Sequence, residues 1–169
     1  MTHSTDFIEK QILLHAARER VWRAITDSRQ FGVWFGAELD GDFVAGAHLA
    51  GKIVPTQVDA EVAKSQEPYA GMPFHVFVER IDPMSVFEFR WHPYAVEAGQ
   101  DYMKEPTTTV RFELSDAPGG TLLTITESGF DRIPVERRAQ AFTENEQGWS
   151  VQIQLIRKYL ELPAQAEST

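Results

Sequence analysis

Residues 134–162 read PVERRAQAFTENEQGWSVQIQLIRKYLEL, and this stretch decides the fold. Pro134 suits a first helical position, Glu136 complements the positive end of a helix dipole, and the helical pattern runs to about Leu162. Placing residues about 100° apart gathers Val135, Phe142, Trp149, Ile153, Ile156 and Leu160 into one apolar stripe. Asn145, Glu146 and Gln152 fall within about 60° of its centre, where polar groups can border a partly wet pocket or simply mark where the stripe meets solvent. Gly148 would let another backbone approach the helix closely. A helix this long and this apolar on one side must cover something.

What it covers lies upstream. Val86–Trp91 and the stretches 74–81, 107–114 and 121–127 carry strand-like content, paired by the turns Asp82-Pro83-Met84-Ser85 and Pro118-Gly119-Gly120 into two hairpins. A further strand is predicted over 46–54, and another over Phe7–Leu14. Between them, Ala17, Val21, Ala24 and Ile25 recur at helical spacing, and Asp27 or Ser28 can cap a second short helix bearing Phe31 and Trp34. Strands in the middle and one long amphipathic helix at the end fit a curved antiparallel sheet gripping that helix, an α+β fold. We expect one domain over residues 7–162, with flexible ends at 1–6 and 163–169. The connections 55–73 and 92–106 are long enough to suggest a role at a pocket mouth, with Tyr69, Met72, Tyr94 and Tyr102 as large groups that could fold over a ligand.

Composition narrows the function classes. Over 169 residues the formal net charge is −9, with no block of about five or more basic residues, which argues against nucleic acid or an anionic membrane as partner. No apolar run approaches the roughly 20 residues of a membrane-spanning helix, and the first residues do not resemble a secretory signal. The chain has no cysteine, which removes disulfides, thiolate nucleophiles and Cys-ligated metals and fits a cytoplasmic location. His3, His15, His48, His75 and His92 are scattered, with no pair four apart on a helix, so no metal is expected. No phosphate loop, nucleophile elbow or dinucleotide fingerprint occurs, and no cofactor is expected.

Several stretches together resemble a known family: Val21-Trp22 with Ile25, Trp34-Phe35-Gly36, Val86–Trp91, Gly120–Phe130, Asn145-Glu146-Gln147-Gly148-Trp149, and Leu155 with Tyr159-Leu160-Glu161. They are similar to the activator of heat-shock-protein ATPase homologues (AHSA family), within the START-like or SRPBCC superfamily. The resemblance spans nearly the whole of 7–162. It implies a helix-grip fold in the order β-α-α-β-β-β-β-β-β-α, a cavity between sheet and C-terminal helix, and hydrophobic-ligand binding as the commonest activity. It transfers no catalytic residues, and catalytic residues stay unknown. The longer 55–73 and 92–106 segments depart from the simplest members and are where ligand choice could differ.

Strand alternation then gives the candidate cavity. If Phe87, Phe89 and Trp91 face inward, so do Phe112 on the next strand and Leu123, Ile125 and Glu127 on the last. Trp34 joins them from the second helix, and Phe142, Asn145, Glu146, Trp149 and Ile153 from the long one. Glu127 is a carboxylate on an otherwise apolar face: a recognition or general-base group with a raised pKa, or a strand-end Glu that reaches solvent or an Arg. It is expected to point inward at the end of its strand, within reach of Asn145 or Glu146 on the last helix, and if it meets Glu146 the two would share a proton. On 74–81 either Phe74, Val76 and Val78 or His75, Phe77 and Glu79 could face inward. Trp91 and Trp149 are expected on facing inner surfaces.

The leading function is therefore binding of a small apolar or aromatic ligand. An enzyme of the polyketide cyclase or aromatase kind, using Glu127 or His75 as acid or base, is the alternative. A co-chaperone acting on a heat-shock ATPase ranks last, because the chain has room for only the one START-like domain. A homodimer is left open.

Overall fold

The computed structural model describes residues 7–93 and 102–162. Elements run β1 (Phe7–Leu14), α1 (Arg18–Thr26), α2 (Ser28–Phe35), β2 (Ala37–Leu39), β3 (His48–Ile53), α3 (Ala60–Gln66), β4 (Pro73–Asp82), β5 (Val86–Trp91), β6 (Thr108–Ala117), β7 (Gly120–Ser128) and α4 (Val135–Leu160). The seven strands form one antiparallel, curved, unclosed sheet in the order β1-β7-β6-β5-β4-β3-β2, with α4 against it. This is the α+β helix-grip architecture, with the strand and helix order the resemblance implied plus the short helix α3. Residues 1–6 and 163–169, expected to be flexible, lie outside the described residues, as do Tyr94 and the rest of 94–101 in the expected mouth loop. Among the described residues no helix is long and apolar enough to cross a membrane.

Local chemistry sets the opening turns. The Asp27 carboxylate accepts from the backbone N–H groups of Arg29 (2.9 Å) and Gln30 (3.2 Å), satisfying two donors that the first turn of α2 leaves unpaired. Gly36 ends α2 at φ +96°, and an added Cβ there would lie 2.8 Å from the Val54 carbonyl oxygen. Both the left-handed backbone and the close approach require glycine. β2 follows at once, held to β3 by the register Ala37 to Ile53.

The inner face of the sheet is a continuous apolar layer. Val76 and Val78 of β4, Phe87 and Phe89 of β5, Val110, Phe112 and Leu114 of β6, and Leu123 and Ile125 of β7 are all buried. The face of β4 is thereby settled: Phe74 packs against this core with Val76 and Val78, which puts His75, Phe77 and Glu79 outside. Above the layer sit Val21, Ala24 and Ile25 of α1 and the fully buried Phe31 and Trp34 of α2. The Trp34 indole donates to the Ala24 carbonyl (2.8 Å), so its one polar atom is satisfied inside the core.

α4 differs from its wheel in three respects. Pro134 caps the helix rather than occupying its first position. Val135 is 72% exposed, because the fully buried Phe130 and Ile133 already cover the core at that end; the buried residues of α4 are Ala141, Trp149, Ile153, Leu155, Ile156 and Tyr159. Gly148 makes no close approach, since a Cβ there would meet nothing within 4 Å. The connection 55–73 is also more ordered than a loop. Asp59 caps α3 by accepting from the Val62 N–H (3.0 Å) and forms an ion pair with Lys158 of α4. The Thr56 hydroxyl donates to the Trp34 carbonyl (2.9 Å), and Gln66 accepts from the Thr56 N–H (2.7 Å).

Candidate functional site

Alternation along β7 carries Leu123, Ile125 and Glu127 to the inner face, and Glu127 ends fully buried. Two further strands bring it donors. Thr108 on β6 and Trp91 on β5 are ladder partners, one row from the Val110–Glu127 pair. The Trp91 indole donates to Glu127 Oε2 at 2.8 Å and the Thr108 hydroxyl donates to the same oxygen at 2.6 Å. From the opposite layer come Asn145 and Trp149, four residues apart and so on one face of α4. The Trp149 indole donates to Glu127 Oε1 at 2.8 Å, and the Asn145 amide spans both oxygens at 3.0 and 3.1 Å.

Five contacts from four donors use the roughly four lone-pair sites of a carboxylate. Burial pushes the Glu127 pKa up from its ordinary value, while the hydrogen bonds from Thr108, Trp91, Trp149 and Asn145 pull it down; burial wins. A substrate could use this carboxylate as a base only by displacing a donor, and half-buried Asn145 is the one whose amide bridges both oxygens.

Glu146 does not share this site. One residue on from Asn145 the helix turns about 100°, which points Glu146 toward β1, where it pairs with Lys10 at 2.5 Å. The expected proton-sharing pair of Glu127 and Glu146 therefore does not form, and the raised pKa has burial as its cause.

The rings around the carboxylate face one another across the two layers. Trp91 and Trp149 stack with centroids 5.6 Å apart and planes 26° apart. Phe112 meets Trp149 edge-on at 5.8 Å, and Phe35 lies 5.8 Å from Trp91 and 6.2 Å from Trp149. Phe74 closes the group, 5.4 Å from Phe35 and 5.9 Å from Trp91. At this rim the Gln152 amide donates to the Phe35 carbonyl (3.0 Å), while its buried Oε1 has no partner among the described residues. Among the described residues, these aromatic rings thus lie between sheet and helix, where the cavity was expected.

The remaining candidates divide by depth. Phe87, Phe89, Leu123 and Ile125 lie in the floor of the core, Ile153 is buried on α4, and Trp34 is one layer deeper, its ring 5.0 Å from Phe31. Phe142 belongs elsewhere: it packs on Phe130 (5.1 Å) and lines an open groove of about 410 Å³ with residues 7–10 of β1, Thr143 and Glu146. His75 faces outward and cannot serve as acid or base beside Glu127. Thr108, Phe35 and Phe74 were missed as site residues. Thr108 continues the inward alternation of Val110 and Phe112 and could have been found from it; the positions of Phe35 and Phe74 follow from tertiary packing. Among the described residues no three His, Cys, Asp or Glu side chains converge as a metal site.

The model for the family described as activator of Hsp90 ATPase homolog 1-like protein matches residues 15–161. No curated protein matches the chain. Among solved structures, a Mesorhizobium loti protein is 21% identical, with 92% of this chain and 96% of that chain covered and a TM-score of 0.66. DynU16, described as a putative protein in the dynemicin biosynthetic locus, is 24% identical over 92% of this chain and 47% of its own, with a TM-score of 0.64. A solution structure described as the Aha1 dimer from Colwellia psychrerythraea is 15% identical over 92% of this chain and 96% of that chain, with a TM-score of 0.64. At such identities the likeness is one of fold.

Proposed function

Because the chain belongs to the activator of Hsp90 ATPase homolog 1-like family, with its START-like fold, we propose that it binds a small apolar or aromatic ligand between the sheet and α4. The observation that carries this reading is the rim formed by Phe35, Phe74, Trp91 and Trp149 together with Gln152, which bonds the Phe35 carbonyl and whose buried Oε1 has no partner among the described residues. Aromatic faces supply apolar contact with well-defined geometry, and a buried acceptor without a donor costs free energy that a ligand N–H or O–H would recover. Glu127 locks the edges of both indoles and so presents their faces in fixed orientation. The segment that opens for a ligand is α3, which has no fully buried side chain, touches the core edge through half-buried Val62 and reaches the rim through the Gln66 bond to the Phe35 carbonyl.

Native mass spectrometry of gently purified protein, with a thermal-shift screen of planar aromatic compounds bearing one donor group, tests the proposal. A ligand at 100 times its Kd should stabilise the fold by about 2.7 kcal/mol. No co-purified molecule and no compound that raises the melting temperature would sink it.

A second reading rests on Glu127. A carboxylate whose pKa burial raises, enclosed by aromatic rings, suits general acid–base chemistry of the polyketide cyclase kind, in line with the likeness to DynU16. Glu127→Gln separates the two. A binder keeps its affinity within roughly tenfold, whereas an enzyme using this base loses roughly a hundredfold or more in turnover of a polyketide-like substrate. A homodimer is the assembly suggested by the likeness to the Colwellia protein, and sedimentation of the full chain would reveal it.

A further inference from the structure

The sheet is unclosed, and one of its two edges is β1, which is hydrogen-bonded to β7 alone. In an antiparallel ladder alternate residues turn their N–H and C=O groups away from the neighbouring strand, so an edge strand presents a row of backbone donors and acceptors. Among the described residues no backbone group outside the ladder bonds to Phe7–Leu14. The devices that blunt such an edge are scarce here. β1 has no proline, its register with β7 runs without a bulge, and its one lysine, Lys10, is drawn inward to Glu146 at 2.5 Å. The opposite edge, β2, is only three residues long.

Alongside β1 runs the open groove of about 410 Å³. Successive side chains of a strand point to opposite faces, yet residues 7, 8, 9 and 10 all line this groove, which places it along the edge of the strand. Its far wall is Phe142, Thr143 and Glu146 of α4. Ile8 is buried on the inner side, as ladder partner of Glu127, while Phe7 is 45% exposed on the outer side. Charge at the edge is one-sided. Glu146 takes up the Lys10 cation, whereas the exposed Glu9 carboxylate has no ion-pair or hydrogen-bond partner among the described residues.

We propose that β1 is a docking edge for an extended peptide segment of a partner protein, which adds a further strand antiparallel to β1, sets a large apolar side chain in the groove against Ile8 and Phe142, and places a Lys or Arg opposite Glu9. Backbone pairing supplies the attachment, and alternation of side chains supplies the specificity. In the antiparallel direction the residue opposite Ile8 follows the one opposite Glu9 and precedes the one opposite Phe7, so the recognised order is basic, large apolar, apolar. A second copy of this chain is a poorer occupant. Two-fold pairing of β1 with itself centred on Lys10 sets that cation against its own copy, and centred on Glu9 it opposes two carboxylates. Centred on Gln11 it leaves Glu9 opposite Leu13 and Lys10 opposite Ile12, with neither charge answered. The edge is separate from the ring cluster, and neither site depends on the other.

The probe is the acetylated and amidated peptide Thr-Thr-Lys-Phe-Val, titrated into the isotopically labelled full chain and followed by NMR. Amide shifts should concentrate at residues 7–11 and at Phe142 and Thr143, and be small in β3, β4 and β5. Replacing the Lys of the peptide by Glu should weaken binding roughly fivefold or more, and Glu9→Lys in the protein should reverse that preference, with its melting temperature showing that the fold is kept. N-methylation of the alternate peptide amides that face β1 should abolish binding. No shifts at millimolar peptide, shifts centred away from β1 and α4, or equal binding of the Lys and Glu peptides would overturn the proposal. So would concentration-dependent β1 shifts without peptide, which assign the edge to a second copy, or binding that appears only after removal of residues 1–6, which assigns it to the chain's own start.

Discussion

Taking a carboxylate out of water is costly, and Glu127 is tolerated only because four donors meet it. Each of those donors is itself inside or half inside the core, so the acceptor satisfies them as much as they satisfy it. Glu127→Gln keeps the shape but replaces one acceptor oxygen by a donor. Thr108 can turn its hydroxyl to accept from the new NH₂, whereas neither indole N–H can accept. One indole bond is then lost, and we expect destabilisation of about 1–3 kcal/mol. The pH dependence has a definite sign. Because the folded pKa is raised, the stabilising contribution of Glu127 is fully present below its ordinary value of 4.5 and is lost as pH rises through the folded value. The Gln variant does not titrate there, so the stability advantage of the natural protein should shrink as pH rises above about 4.5. Denaturant unfolding of both proteins across pH 4.5–8 measures this; an advantage that grows with pH would show that the hydrogen bonds outweigh burial.

At the scale of elements, α4 joins the layers through Trp149, and Trp149→Ala should cost about 3–5 kcal/mol because its ring is packed between Trp91, Phe112 and Phe35. One residue earlier the expectation reverses. Gly148 lies mid-helix with open space beside it, so Gly148→Ala should stabilise by about 0.5–1 kcal/mol, read as a rise in the denaturation midpoint. A loss of stability would instead restore the close approach that the sequence suggested. The same helix shows where sequence reading succeeds and where it stops. Alternation placed Phe87, Phe89, Phe112, Leu123, Ile125 and Glu127 on one face because a half-buried strand writes its period directly into the chain. Three-residue β2 is too short to alternate, and α3 has no buried side chain, so neither leaves a hydrophobic pattern to read. The partners of Glu127 needed three strands and a helix to be assembled. Each partner nonetheless carried a local signal: Trp91 lies in the alternation of β5, Trp149 and Asn145 on the stripe of α4 and its edge, and Thr108 continues the alternation of Val110 and Phe112.

Across the whole molecule, α4 is tied at successive levels to the sheet through Glu127, to α2 through the Gln152 bond to Phe35, and to α3 through the Lys158–Asp59 ion pair. The first tie is buried and sits in the aromatic core. The last is polar and only partly buried, and a pair with one partner this exposed contributes little. Free energies of local opening follow this gradient, since segments with few buried apolar contacts open well before the fold does. Hydrogen exchange should therefore show the helical amide of Ala63, bonded to the Asp59 carbonyl, exchanging far faster than amides of Phe89, Phe112 and Ile125 in the central strands. A ligand seated at the Phe35–Trp91 rim should slow α3 selectively, because closing the cover over it draws on the Gln66 and Thr56 contacts that anchor α3 to the end of α2. Equal protection of α3 and the central strands in the free protein would mean that α3 opens only with the whole fold, and the proposed route into the ring cluster would then be closed.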